Sequence, residues 1–294
     1  MKNKFSGTGV ALVTPFNNDY SVDYQSLKDI VNFVIDQGVD FLVALGTTSE
    51  APTLTNEEKR LVVKTIVDTA ANRVPVVLGL GGNNTFEVLN QIKNHDFIGI
   101  SAILSVVPYY NKPQQHGIFA HFDAIASVCP VPIILYNVPG RSGVNMKAET
   151  TLKLASMHEN IVAVKEASGD FMQIMQIIQH KPTHFEVLSG DDAITLPLIS
   201  TGAIGVISVT ANALPKDFST MVQMALNNQF EEAKALHYKI LRMTELFFTD
   251  GSPAGVKALM SEAGLCSEIV RLPLVTVNEI VRKQIRDEWH RIKY

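Results

Sequence analysis

The chain predicts a closed (β/α)8 TIM barrel with a C-terminal helical extension, and three observations lead there. Short apolar, β-branched runs recur eight times along its 294 residues. Most of them alternate with amphipathic stretches in which apolar residues return at three- and four-residue spacing. Past Ala213 the β-branched runs stop, and only helix-like stretches follow. An open, doubly wound sheet of the same units is the alternative arrangement.

In chain order the candidate strands are "TGVALVTPF", "FLVALGTT", "VPVVLGLGG", "SAILSVVPYY", "VPIILYNVPG", "IVAVKEASG", "FEVLSGDD" and "GAIGVISVTAN". In each, the apolar run gives way to Gly, Pro, Thr or Ser, the residues that stop a strand and turn the chain. Their near-continuous apolar character suits strands covered on both faces, as in a parallel sheet. The crossovers "SLKDIVNFVIDQG", "NEEKRLVVKTIVDTAA" and "PQQHGIFAHFDAIASV" have the helical period such a sheet requires. Beyond them, "FSTMVQMALNN", "FEEAKALHYKILRMTELFF", "PAGVKALMSEAG" and "LVTVNEIVRKQIRDEWHRI" read as helices with no strand between them. Residues 1–212 are therefore read as the barrel, including its last strand, and residues 213–294 as C-terminal helices packed on it.

Composition narrows the function. With 46% hydrophobic and 18% charged residues, the chain is globular rather than disordered or fibrous. A net charge of -4, spread along the chain, offers no basic stripe for nucleic acid. Cys129 and Cys266 lie far apart and outside any CxxC spacing, so neither a disulfide framework nor a zinc site is expected. No segment approaches the roughly 20 apolar residues of a membrane helix. The opening "MKNKFSGTGVALVTPF" meets polar residues and glycine early, so a cytoplasmic location is expected.

In such barrels chemistry sits at the C-terminal strand ends. Those positions hold two lysines, Lys112 and Lys165, one arginine, three tyrosines and several hydroxyls. Strand alternation puts Ala163 and Lys165 on one face of the sixth strand, with Val162 and Val164 on the other. The larger apolar pair suits the helix layer, so Lys165 is expected inside, and the same parity points Tyr136 inward on the fifth strand. Burial disfavours the charged form of an amine, and neutral amine is the nucleophile for a Schiff base with a carbonyl substrate. A tyrosine beside it can move the protons of carbinolamine dehydration. The alternative is an ion pair between Lys165 and Glu166, or an aliphatic stem reaching water.

Other strand-end residues carry weaker signals. The "GTTSE" turn offers backbone N–H groups and the hydroxyls of Thr47 and Thr48 to a carboxylate. Its alternative role, capping the helix of "TNEEKR", is served better by Thr55 or Asn56. Arg141, in the loop between Gly140 and Ser142, can grip a carboxylate with two bonds, although a solvated arginine is commoner. "GLGGNN" lacks the third glycine of a dinucleotide loop, and no GxxxxGK[ST] occurs. His116 and His121 are five apart, off the four-residue spacing of a helical metal pair, and Asp191 in "SGDD" reads as a helix cap. No metal and no nucleotide cofactor are expected.

The set "GTTSEAPTL", "PYYNKP", "YNVPGRSG", "VKEASGD", "LSGDD" and "GVISVTAN", in this order across nearly the full chain, resembles the dihydrodipicolinate synthase family. That family belongs to the pyruvate-dependent class I lyases, which also include sialate lyases. The resemblance implies a homotetramer, a dimer of dimers, that condenses pyruvate with L-aspartate 4-semialdehyde to 4-hydroxy-tetrahydrodipicolinate in the diaminopimelate route to lysine. No cofactor is implied beyond the covalent imine of pyruvate. Lys165 matches the Schiff-base lysine, and Tyr136, Thr47 and Tyr110 match a proton-relay triad in which Tyr110 enters the neighbouring subunit's site. Thr48 with Thr47 would hold the pyruvate carboxylate, Gly190 and Ile207 would meet substrate through the backbone, and Arg141 would receive the semialdehyde carboxylate. N-acetylneuraminate lyase or 2-keto-3-deoxygluconate aldolase chemistry is the alternative within the superfamily; a non-enzymatic keto-acid-binding barrel is the alternative outside it.

Two departures from the family pattern stand out. Ser49 replaces a glycine of the common "GTTGE", which implies a turn set differently. In lysine-inhibited members an effector site uses histidines where this chain has Asn56 and Lys59, while Asn83, Glu87 and Tyr109 are retained. A cationic Lys59 would repel the ammonium groups of lysine, and a solvated first helical turn explains Asn56 and Lys59 without any ligand.

Overall fold

The computed structural model describes residues 4–293. Eight parallel strands hydrogen-bond in sequence order and close on themselves. They are β1 (Gly7–Ala11), β2 (Phe41–Ala44), β3 (Val76–Gly79), β4 (Ala102–Val106), β5 (Ile133–Asn137), β6 (Ile161–Glu166), β7 (Glu186–Ser189) and β8 (Gly205–Ser208). Each lies in its predicted run, β1 starting one residue earlier. The seam between β1 and β8 is tight: at Gly205, φ is 152° and a Cβ would stand 2.0 Å from the Gly7 carbonyl oxygen. Only glycine permits that approach.

Alternation divides the strands into two apolar clusters. Ala11, Phe41, Val43, Val77, Leu104, Ile134, Ala163, Leu188 and Ile207 fill the barrel, with Phe5 packed edge-on against Phe41 at 5.8 Å. Val10, Leu42, Leu78, Ile103, Leu135, Val164, Val187 and Val206 face the helices. Val162 departs from the expected parity. It packs half-buried against the interior cluster, whereas Val164 faces the helix layer as expected. The pairing of β5 with β6 slips here, since Ile133 faces Ile161 while Ile134 faces Ala163, so β6 accommodates one extra residue. The slip precedes Ala163 and leaves the parity of Lys165 intact.

After β8, the helix Pro215–Leu226 packs against β1 and continues the helical ring. The helices Phe230–Thr249, Ala254–Glu262 and Glu279–Lys293 follow, in the predicted stretches. Their apolar residues, among them Ile240, Phe247, Val256, Leu259 and Ile285, join the cluster that lines the outer face of the barrel.

A buried ion pair also ties this extension to the barrel. Lys257, on the helix Ala254–Glu262, donates to Glu50 Oε1 at 2.6 Å, and both side chains are 0% exposed. Lys257 donates again to the Ile269 carbonyl at 2.9 Å and sits 4.3 Å from the Phe16 ring centroid. Burial pulls the Lys257 ammonium below its ordinary range, and the facing Glu50 carboxylate opposes that pull. The second Glu50 oxygen accepts the Arg271 amide at 2.8 Å. The Arg271 guanidinium pairs with Glu58 at 2.6 Å and holds that carboxyl down at about 2.

Removing one member of a buried pair leaves an uncompensated charge. Lys257→Met should therefore cost about 3–5 kcal/mol of stability, read as a lower denaturation midpoint in urea. Glu50→Gln combined with Lys257→Met should recover most of it. A single variant as stable as the wild type would show that the pair contributes nothing.

Candidate active site

The register of β5 and β6 brings two predicted residues together: Tyr136 lies opposite Lys165. Both face the interior. Lys165 is 5% exposed, and its Nζ lies 4.2 Å from the centroid of the Tyr136 ring. The alternative pairing of Lys165 with Glu166 does not occur, because Glu166 points to the opposite face. Its carboxylate accepts from Asn137 Nδ2 at 2.7 Å, Gln173 Nε2 at 2.9 Å and Ser168 Oγ at 2.6 Å. Burial pushes the Glu166 carboxyl up, while the bonds from Ser168, Asn137 and Gln173 draw it down. Among the described residues no carboxylate pairs with Lys165.

Gly190, after β7, lies against the same lysine. A Cβ there would stand 3.1 Å from Lys165 Cε, 2.7 Å from Ala167 Cβ and 3.0 Å from the Glu166 carbonyl oxygen. A glycine is what leaves the Lys165 stem its space. Ile207, on β8, is buried in the interior cluster.

The end of β2 forms a single 3-10 turn, Thr47–Ser49, closed by Glu50 in a left-handed conformation with φ 57°. The first N–H groups of such a turn have no acceptor within it, and here they belong to Thr47 and Thr48. Thr48 is buried and Thr47 exposed. Ser49 sets the turn through its hydroxyl, which donates to the Gly46 carbonyl at 2.7 Å, while its own carbonyl accepts from Thr14 Oγ1 at 2.8 Å. Thr55 caps the next helix in a reciprocal capping box with Glu58, as its position predicts.

Arg141 lies in a one-turn helix, Pro139–Ser142, rather than in the irregular loop expected from sequence. Pro139 suits the first helical position, where its missing N–H has no consequence. Arg141 is exposed, and among the described residues no acid pairs with it. A Cβ on neighbouring Gly143 would lie 3.0 Å from Lys112 Cε, so the loops after β4 and β5 touch.

Tyr110 behaves differently from the rest. It is 84% exposed with φ 72°, and it makes no hydrogen bond or ring contact with Lys165 or Tyr136 among the described residues. One chain alone does not bring it to the site. A bulky residue in that backbone region is strained.

The proposed effector residues fall into two groups. Asn83 Nδ2 donates to the Tyr109 carbonyl at 3.4 Å, and exposed Glu87 accepts from Gln91 at 3.2 Å. Asn56 and Lys59 occupy the first turns of the helix Asn56–Ala70, and no hydrogen bond joins them to the first group among the described residues.

Several residues at these strand ends escaped the sequence reading. Asp192 is buried and accepts from the amides of Val209 at 3.0 Å and Thr210 at 2.7 Å, fixing the turn after β8. Its neighbour Asp191 does cap, accepting from Ala193 N at 3.0 Å. The network around Glu166 and the Glu50–Lys257 pair were missed as well. Their only sequence signal is an acid adjacent to a strand end. His116 is exposed whereas His121 is buried against Thr85, where burial lowers its ring to about 4. Among the described residues no cluster of three His, Cys, Asp or Glu could hold a metal, and no helix is long and apolar enough to cross a membrane.

Known proteins were compared with this barrel. The model of the dihydrodipicolinate synthetase family matches residues 4–291. A 4-hydroxy-tetrahydrodipicolinate synthase of Flavobacterium psychrophilum is 54% identical over 275 residues, which is 94% of this chain and 94% of that one. One from Parabacteroides distasonis is 50% identical, covering 96% of this chain and 95% of that one. Among solved structures, the chloride-inhibited dihydrodipicolinate synthase of Acinetobacter baumannii complexed with pyruvate superposes with a TM-score of 0.95 at 40% identity, covering 98% of this chain and 99% of that one. Matched in sequence and in barrel geometry along almost its whole length, the chain belongs to the dihydrodipicolinate synthetase family.

Proposed function

We propose that this chain is a Schiff-base lyase that condenses pyruvate with L-aspartate 4-semialdehyde to 4-hydroxy-tetrahydrodipicolinate, the step its close relatives are named for. One observation carries the reading: a buried lysine with no acid partner among the described residues, held against a tyrosine ring inside the barrel. Lys165 Nζ attacks the keto carbon of pyruvate and water leaves, giving an iminium. That group withdraws electrons and acidifies the methyl group. Loss of a methyl proton yields an enamine, which attacks the aldehyde carbon. The amine of the added substrate then displaces Lys165 by transimination and closes the ring, regenerating the free lysine. No metal or organic cofactor is needed for any of these steps.

Tyr136 is positioned to move protons during carbinolamine dehydration and methyl deprotonation, with Thr47 and Tyr110 completing the relay. The peptide N–H groups and hydroxyls of Thr47 and Thr48 hold the pyruvate carboxylate, and the backbone of Gly190 and Ile207 lines the substrate's path. Arg141, exposed and without an acid partner among the described residues, receives the semialdehyde carboxylate. The enzyme acts in the cytoplasm as a homotetramer, and exposed Tyr110 reaches the site of a neighbouring copy.

Incubation with pyruvate and borohydride should add a reduced pyruvyl mass to the Lys165 peptide, and an unmodified peptide ends the imine mechanism. Arg141→Ala should still trap pyruvate yet lose about 1.5–3 kcal/mol of transition-state binding, roughly a tenfold to hundredfold fall in kcat/KM for the semialdehyde. Faster turnover of N-acetylneuraminate or 2-keto-3-deoxygluconate would instead assign the site to sugar acids.

For Tyr110, mixing inactive Lys165→Ala subunits with inactive Tyr110→Phe subunits should restore activity, since a mixed dimer holds one site with both residues. No recovery, with mixed dimers verified by mass, would remove Tyr110 from a neighbour's relay. For regulation, Asn83, Glu87 and Tyr109 supply acceptors to a lysine effector, but Lys59 brings a like charge that costs affinity. L-lysine should therefore inhibit weakly or not at all in a steady-state titration; saturable sub-millimolar inhibition would mean the retained residues suffice.

A further inference from the structure

Behind the paired Tyr136 and Lys165, the next residues of the same two strands also pair: Asn137 faces Glu166. Alternation points this second pair outward, into the interface between the barrel and its helices, where both side chains are 0% exposed. Among the described residues no cation neutralises Glu166. Four donors do so instead. Oε1 accepts from Asn137 Nδ2 at 2.7 Å and Gln173 Nε2 at 2.9 Å. Oε2 accepts from Ser168 Oγ at 2.6 Å and Ser168 N at 3.2 Å. Asn137 is itself fixed from the far side, since its Oδ1 accepts the Met146 amide at 2.9 Å and its Nδ2 also reaches Asn145 Oδ1 at 2.7 Å. Asn145 Nδ2 donates to Gln173 Oε1 at 2.8 Å and closes the ring of contacts.

We propose that Glu166 is a positioning residue for the reaction. Its carboxylate clamps β6 to β5 at the level of Lys165 and Tyr136, and through Asn137 and Asn145 it seats both ends of the segment that carries Arg141. Three groups of the proposed site thereby share one anchor that substrate never touches. With Asn137 opposite it, the anchor is best met by a carboxylate, because all four groups around it donate. An amide supplies one acceptor oxygen and two donors, so glutamine would set its NH2 against donors. Charge-assisted bonds from a rigid ring of amides hold a strand end more tightly than apolar packing, and misplacement by about an ångström at a reacting group can cost about a hundredfold in rate.

The inference rests on Lys165 forming the imine, so the wild type is first trapped with pyruvate and borohydride; failure there removes the functional reading, whereas the Glu166 variants test the positioning role alone. The main readouts are exchange of pyruvate methyl protons in D2O, which reports enamine formation, and kcat with both substrates, each at a temperature where unfolding curves show the variant folded. Glu166→Gln should lower exchange and kcat by about tenfold or more, with a smaller change in the KM for pyruvate. Moving the carboxylate to the other strand, as Asn137→Asp with Glu166→Gln, restores a compatible donor and acceptor set and should recover much of the loss. Where Glu166→Gln fails to fold, Ser168→Ala with Gln173→Leu removes two of the four donors, one from half-buried Ser168 and one from buried Gln173, and should slow exchange by several-fold, about three- to tenfold. Folded variants that exchange and turn over like the wild type, or whose only change is a lower melting point, overturn the proposal.

Discussion

Closing eight parallel strands into a barrel gives every strand one inward and one outward face, and the two-residue repeat of a strand leaves adjacent residues no choice but to occupy opposite ones. Most of the candidate site follows from that constraint at β5 and β6. Tyr136 and Lys165 face the interior as register partners, and Asn137 and Glu166 face the helices as register partners one step further on. A lysine next to a glutamate in sequence would on a flexible loop form an ion pair. Here the sheet separates the two charges, so the amine meets an aromatic ring and the carboxylate meets amides and a hydroxyl.

The turn after β2 depends on a second constraint. Glu50 occupies a left-handed conformation, which costs an ordinary residue free energy and survives only where surrounding contacts enforce it. Those contacts come from the opposite end of the chain: Lys257, 207 residues away, and the amide of Arg271. A buried ion pair is weak evidence for net stability, since desolvating both charges offsets much of their attraction. It is a strong geometric restraint, because neither charge can leave its partner without being stranded in an apolar surrounding. The C-terminal extension thus does more than cover the barrel. It holds the turn whose preceding residues, Thr47 and Thr48, are read as the carboxylate cradle.

What could be read in the sequence was whatever depends on local period. Eight β-branched runs gave eight strands, the parity of Lys165 and Tyr136 held, and Thr55 and Asp191 cap as their positions suggest. What could not be read depends on register or on distant contacts. Val162 turns inward because β6 slips by one residue against β5, and no feature of "IVAVK" marks the slip. Ser49 closes its turn through a hydroxyl bond to Gly46, an interaction visible only once the turn's shape is known. Glu50, Glu166 and Asp192 looked like ordinary strand-end acids, and only the fold shows that each is buried. Tyr110 marks another limit, since a single chain gives an exposed side chain no site to enter.

The fate of those three acids bears on why a site of this kind suits anionic substrates. Glu50 is neutralised by Lys257, Glu166 by four donors, and Asp192 receives the amides of Val209 and Thr210. All three side chains are buried, and each accepts hydrogen bonds. The cations are treated in the opposite way: Lys165 and Arg141 have no acid partner among the described residues, and the first N–H groups of the turn after β2 lack an acceptor within it. Both proposed substrates carry a carboxylate, and a cationic side chain or a free backbone N–H group can receive one. An acid left unpaired beside Lys165 would hold it in an ion pair, whereas the proposed imine requires a free amine. Turning Glu166 to the outer face leaves Lys165 beside the Tyr136 ring rather than beside a carboxylate.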